Sequence, residues 1–302
     1  MKKIVTLVIA LFSVSVLSAK GDLHLFDVDN KDGSITTKQI EQAFVDAGFG
    51  IGINSNMNKP YMIQFKETSF KIYTLLTVYH KDLAFKLVKK HADAGMFTPM
   101  GVGIYQSKNE DTLHISILTS DAQAKILGLN DEMLRTIERQ VLAVINKTLP
   151  NAKHKISKDI LNTTSPLVTK YELDLDGEDK DETIENIIMS IENGFGLYGF
   201  VVPGTLEVNE KIKGDSPYDY YKTYSICKLP VIYNVSKTRP EAGAFAPCSL
   251  MIYKKKDEDK IVLGFPSVHN WVSSAKVENK DAKAILLKAQ TQFEAILTEA
   301  TE

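Results

Sequence analysis

The chain has 302 residues, 44% of them hydrophobic and 25% charged, with a formal net charge of −2. The apolar fraction is ordinary for a chain with packed cores, and the length points to two domains. A slightly acidic balance excludes a general electrostatic case for nucleic acid or an anionic membrane surface as partner.

The chain opens with a cationic Met1-Lys2-Lys3, an uncharged stretch from Ile4 to Leu17, and Ser18-Ala19-Lys20. This pattern predicts a secretory signal peptide over residues 1–19, cut near Ser18 or Ala19, and so a periplasmic or secreted protein. The apolar stretch is short of the roughly 20 residues that a membrane span needs. No later segment approaches that length, so no membrane span is expected after cleavage. Removing the leader with Lys2 and Lys3 leaves 34 basic against 38 acidic residues, a charge of −4.

In the first half, Asp22 to Val28 reads as a strand. Thr36 to Ala47 reads as a helix, with Ile40, Phe44 and Ala47 at helical spacing and Gly48 closing it. Phe49 to Asn54 is a short strand and Asn54 to Lys66 irregular or partly helical. Ser69 to Tyr79, rich in β-branched and aromatic residues, is a strong strand. Asp82 to His91 is helical. Phe97 to Tyr105 and Thr112 to Leu118 are strands joined by a hairpin at Lys108-Asn109-Glu110-Asp111. Asn130 is expected to cap a long amphipathic helix to Lys147, with Met133, Ile137, Val141, Leu142 and Ile145 inward.

The second half repeats this order. Ala47-Gly48-Phe49-Gly50-Ile51 matches Asn193-Gly194-Phe195-Gly196-Leu197, and Gly95, Phe97 and Pro99 match Gly243, Phe245 and Pro247. Gly103-Ile104-Tyr105 then matches Met251-Ile252-Tyr253, and upstream Phe26-Asp27-Val28-Asp29 matches Leu173-Asp174-Leu175-Asp176. The matches keep order and nearly constant spacing, which predicts an internal duplication. The expected domains are 20–148 and 167–302, joined by a linker over 149–166. Helices are expected near Glu182 to Asn193 and Lys280 to Ala300, and a hairpin at Lys255 to Asp259. Hairpins without strict strand–helix alternation make each copy an α+β unit, a mostly antiparallel sheet covered by helices.

The order of these motifs is a helix ending in Gly-Phe-Gly, a strand ending in Cys-x-x-Pro, a helix, then Leu/Phe-x-Pro-Cys opening a hairpin. It resembles the domain of unknown function 302 family. The residues are Gly194-Phe195-Gly196, Cys227-Lys228-Leu229-Pro230 and Phe245-Ala246-Pro247-Cys248. The first half keeps Gly48-Phe49-Gly50 and Phe97-Thr98-Pro99, but carries Tyr79 and Met100 in place of the cysteines. The resemblance implies a compact, often dimeric fold similar to that of TATA-box-binding proteins, hence a pseudo-dimer of the two copies within one chain. It implies no established reaction.

Cys227 and Cys248 are the only cysteines. They read as a structural disulfide, as two separate buried thiols, or as a thiol site for redox or ligand chemistry. The glycines at 48–52 follow a helix and open a strand, the reverse of a phosphate-binding loop. Asp27 to Ile35 looks like a calcium loop one residue out of register, and acidic residues before a helix are also expected from its dipole. His24, His80, His91, His114, His154 and His269 show no zinc-ligand spacing. Met57, Met62, Met96 and Met100 read as core filler, and Tyr218, Tyr220, Tyr221 and Tyr224 as sheet packing.

No catalytic constellation, cofactor or metal site is singled out. The function expected is a non-enzymatic module binding an unidentified small molecule or a periplasmic protein. The alternative is a thiol-dependent redox or metal-handling protein using Cys227 and Cys248.

Overall fold

The computed structural model describes residues 21–302, so the secretory pattern at 1–19 lies outside the described residues. The first half runs β1 (Leu23–Asp29), α1 (Thr37–Asp46), β2 (Phe49–Asn56), α2 (Asn58–Phe65), β3 (Phe70–His80), α3 (Leu83–Lys90), a 3-10 turn (Ala92–Phe97), β4 (Met100–Ser107), β5 (Thr112–Leu118), α4 (Ser120–Leu127) and α5 (Glu132–Thr148). A short β6 (Lys153–Ile156) follows. The second half runs β7 (Val168–Asp174), α6 (Lys180–Tyr198), β8 (Val201–Glu207), α7 (Val208–Lys211), β9 (Tyr218–Cys227), α8 (Leu229–Ser236), a second 3-10 turn (Pro240–Phe245), β10 (Cys248–Lys255), β11 (Lys260–Pro266), α9 (His269–Ser274) and α10 (Lys280–Thr301).

The first sheet has the order β2-β3-β4-β5-β1-β6 and the second β7-β11-β10-β9-β8. Every pairing is antiparallel. Numbered within its own half, each sheet has strand order 2-3-4-5-1, with β6 as an addition to the first. The fold is thus α+β, two sheet-plus-helix modules of one strand order. β6 comes from the segment read as a linker and pairs with β1.

Each half buries its own core between a sheet and two helices. In the first, Ile40 and Phe44 of α1 and Val141, Val144 and Ile145 of α5 cover Phe26, Leu76, Val102 and Ile115. In the second, Ile187, Ile191 and Phe195 of α6 and Phe293, Ile296 and Leu297 of α10 cover Ile226, Leu250, Ile252 and Leu263. The long final helix of each half therefore lies on its sheet, as its apolar stripe predicts.

The opposite sheet faces close against each other. The turn Pro240–Phe245 packs on β4 and β5, and the turn Ala92–Phe97 on β10 and β11. Two further apolar clusters form there. One joins Tyr61, Tyr73 and Leu75 to Val231, Phe245 and Trp271; the other joins Phe85, Val88 and Met96 to Tyr218, Tyr221 and Met251. The peptide bonds before Pro99 and Pro247, one after each turn, are both cis.

Several local expectations change. The cap of α5 is Asp131, not Asn130, because the Asp131 carboxylate accepts from the Met133 N–H at 2.9 Å. Leu134 and Val144 are buried in that helix, while Met133, Ile137 and Leu142 are only half-buried. The helix expected to stop at Asn193 runs on to Tyr198, where Gly199 caps it at φ 71°. Gly194 and Gly196 therefore lie within α6, whereas Gly48 follows the end of α1 at φ 88°. The short helices α4, α7 and α9 carry too few residues for a periodic signal.

Candidate ligand-binding cleft

The edge strands of the two sheets, β2 and β8, meet where Gly204 approaches Ile53. A Cβ on Gly204 would lie 2.7 Å from the Ile53 Cγ2. Beside this meeting point a cleft of about 670 Å3 opens between the halves. That is the size of a small-molecule site.

One wall comes from β2 and α2, with Ile53, Ser55, Asn56, Met57, Pro60 and Gln64, backed by Leu75. The other comes from the end of α6 and the start of β8, with Tyr198, Val201 and Pro203, and from Cys227 to Pro230. Pro247 closes the floor region. Most of these side chains are apolar, and Ser55, Asn56, Gln64 and Lys228 supply the polar points. On the elements that wall the cleft, Met62 and Ile63 of α2, Leu197 of α6, and Val201 and Val202 of β8 are exposed. These are five of the eight large hydrophobic residues exposed among the described residues, so such side chains gather on the elements that wall the cleft.

The local sequence explains the opening. Pro203 belongs to β8, an edge strand where its missing N–H costs no ladder bond. Between Val201 and Gly204 the pairing of β8 with β9 shifts register, a bulge that bends the strand locally while Val201 stays paired with Cys227. Pro230 sits in the first turn of α8, where proline is tolerated, and fixes the direction in which the chain leaves Cys227.

Cys227 and Cys248 come close in the fold but are unbridged. Cys248 pairs in register with Ile226, one residue before Cys227. Both pack in the same apolar cluster, with Val231 and Trp271. They also border a small apolar cavity of about 30 Å3, with Trp271, Leu286 and Phe293 among its lining. Burial pushes both thiols up to about 12, with the proximity of Cys248 adding to the effect on Cys227. Thiols held so far above neutrality carry little thiolate.

The remaining candidates separate. Asn30 is buried, and its side chain bonds both the N–H and the C=O of Ile35 as well as Gln106. In the same loop Asp29 accepts from the Lys31 N–H and Asp32 from the Ser34 N–H. Asp27 instead faces His114 and Lys155. The calcium-like segment is thus a turn whose acidic groups bond its own backbone or basic neighbours. Among the described residues no group of three or more His, Cys, Asp or Glu side chains is placed to hold a metal.

His24 bonds His154 at 2.9 Å and Glu138 at 2.8 Å, and Glu138 also accepts from the Ser120 hydroxyl. His91 bonds Asp131, His80 accepts from the N–H groups of Asp82 and Leu83, and His269 opens α9. Met57, Met96 and Met100 are buried in cores, while Met62 is exposed. Tyr218 and Tyr221 face the other half, and Tyr220 and Tyr224 the helices of their own.

Sequence reasoning reaches the cleft only in part. It singles out Cys227 and Pro230 of Cys-Lys-Leu-Pro but not the lysine between them. Of the wall from β2 and α2 it singles out only Met57, as core filler, because a wall built from two halves leaves no local spacing to read.

Residues 178–300 match the model of the family described as domain of unknown function DUF302. A crystal structure of an uncharacterised conserved protein DUF302 from Bacillus stearothermophilus is 19% identical. It covers 45% of this chain and 99% of its own, with a TM-score of 0.36. No curated protein matches the chain. Among the described residues no helix is long and apolar enough to cross a membrane.

Proposed function

We propose that this is an exported, non-enzymatic binding module that holds a small, mainly apolar molecule between two duplicated α+β units. The observation that carries the reading is the cleft of about 670 Å3 walled from both halves. Neither half supplies both walls, so pairing the units is what makes the site. The shared strand order and the ordered motif matches support a duplication of one unit over 20–148 and 167–302, and the packed sheet faces support an intramolecular pseudo-dimer. The TATA-box-binding-protein-like fold and export to the periplasm rest on the family resemblance and on residues 1–19.

The reading is tested with Nile red, a neutral apolar fluorophore, titrated into the purified protein. Saturable binding at one site is expected. Val201→Trp, at a position 55% exposed on the rim, is expected to weaken it about tenfold or more without lowering the melting temperature. Absence of saturable binding, or binding indifferent to Val201→Trp, overturns the assignment of the site. The thiol-based alternative has less support, because both sulfurs are buried and their protonated forms favoured.

A further inference from the structure

Lys228 is a half-buried cation on the cleft wall. Its ammonium donates to the carbonyl of Tyr198 at 2.6 Å and to Oε1 of Gln292 at 2.5 Å, and lies 4.7 Å from the centre of the Phe200 ring. Both hydrogen-bond acceptors are neutral, and an ammonium has three protons to donate. Among the described residues Lys228 forms no ion pair with any carboxylate, although other lysines and arginines do so elsewhere, several between exposed side chains. The charged neighbour acting on it is a second cation, Lys288. Burial first, and then Lys288, lower its affinity for its proton.

The backbone adds positive character. Lys228 is the N-cap of α8, and the first turn of that helix has neither a side-chain cap nor an acidic residue. A helix N-terminus carries partial positive charge and commonly attracts an acidic group. Here Leu229 and Pro230 of that turn border the cleft. A part-buried charge without a counter-ion is costly, and Lys228 and its acceptor Tyr198 both line a site large enough for a ligand.

We infer that the cleft takes a single-chain amphiphile bearing a carboxylate, with the carboxylate on Lys228 at the start of α8 and the apolar chain along Ile53, Met57, Leu75 and Val201. This rests on the binding-module reading and adds the ligand's chemical class. An uncharged apolar ligand would leave Lys228 unpaired, and a fully polar anion would leave the apolar wall unused. The cleft's size suits one chain and a compact head.

The test uses two probes that differ only at the head, cis-parinaric acid and its methyl ester, titrated into wild type, Lys228→Met and Lys228→Arg. Melting temperatures report whether each variant folds. The acid is expected to bind wild type about tenfold or more tighter than Lys228→Met, since charge-assisted hydrogen bonds are the strong ones. Lys228→Arg is expected to keep most of that affinity, and the ester to bind wild type and Lys228→Met alike. If acid and ester bind equally and Lys228→Met changes neither, the carboxylate assignment fails while the apolar cleft stands. If neither probe binds wild type, the carboxylate assignment fails, and Nile red then decides separately whether the cleft reading falls as well. A Lys228→Met protein that melts far below wild type leaves the decision to Lys228→Arg and the acid–ester difference on wild type, where equal binding of the two probes overturns the proposal.

Discussion

Gly103 of β4 lies flat against Gly243 in the turn of the opposite half: a Cβ on Gly103 would sit 2.9 Å from the Gly243 carbonyl carbon. The matching contact on the other side is built in reverse. Gly103 pairs in register with Ser116, and its counterpart Met251 pairs with Gly264. A Cβ on Gly264 would meet the methyls of Met96 and Met251 within 2.9 Å. One junction takes the small residue on the fourth strand of its half and the other on the fifth, so each turn finds room on the sheet it covers.

Gly103 therefore tolerates no side chain. Gly103→Ala is expected to destabilise the protein by about 1–3 kcal/mol, the usual cost of overpacking, and Gly103→Val by more. The Ser116 Oγ, 2.6 Å from such a Cβ, could rotate away, but the Gly243 backbone at 2.9 Å and 3.0 Å could not. Urea denaturation with an unchanged slope would measure it, and a neutral Gly103→Val would show that the halves are not pressed together there.

The two glycines within α6 predict opposite outcomes. A Cβ on Gly194 would lie 2.8 Å from Ile296 of α10, whereas nothing lies within 4 Å of one on Gly196. Gly194→Ala should push α6 away from α10 and cost stability. Gly196→Ala should gain about 0.4–1 kcal/mol by restricting the unfolded chain and favouring the helix. Melting temperatures of the two single variants separate the effects. A shift of the same sign in both would contradict the packing.

Much of this fold was legible because its units are long and periodic. The strand Phe70–His80 and the helices Glu132–Thr148 and Lys280–Thr301 announce themselves by β-branched runs or an apolar stripe. The ordered matches around Gly48, Gly95 and Gly103 pointed to two units of one type. What failed was local and context-driven. Gly194 reads as a helix stop, but close approach to Ile296 gives glycine a second use inside a helix. β6 has four residues and forms because β1 offers an edge, a signal absent from its own sequence. The lining of the cleft between the halves was not legible for a related reason, since Met57 and Val201 become neighbours of one space only when two sheets pack.

Both cysteines should be silent in the native state. Burial pushes Cys227 and Cys248 up to about 12, and the thiolate is the reactive form. At pH 8 an aromatic disulfide reagent is expected to label native protein far more slowly than protein unfolded in guanidinium, where two thiols should react. Cys227→Ala is expected to retain Nile red binding. Rapid labelling of the native protein would restore the thiol-based reading.

Asp131 supplies the clearest acid-sensitive contact. One carboxylate oxygen caps α5 through the Met133 N–H, and the other accepts from Lys90 at 2.6 Å and His91 at 3.0 Å at the end of α3. Lys90 first, then the Met133 N–H, hold its carboxyl down to about 2, against about 3.9 for an unfolded aspartate. The folded state therefore favours the ionised form. The stabilisation is fully present above about pH 3.9 and is lost as pH falls through about 2. At pH 7, Asp131→Ala should cost about 1–2 kcal/mol, as loss of an N-cap does. Asp131→Asn should keep part of the cap and lose the ion pair. The stability gap between wild type and either variant should narrow steadily from pH 4 to pH 2 in urea titrations. A gap of equal size at pH 7 and pH 2 would mean that the charge on Asp131 contributes nothing to joining the two helices.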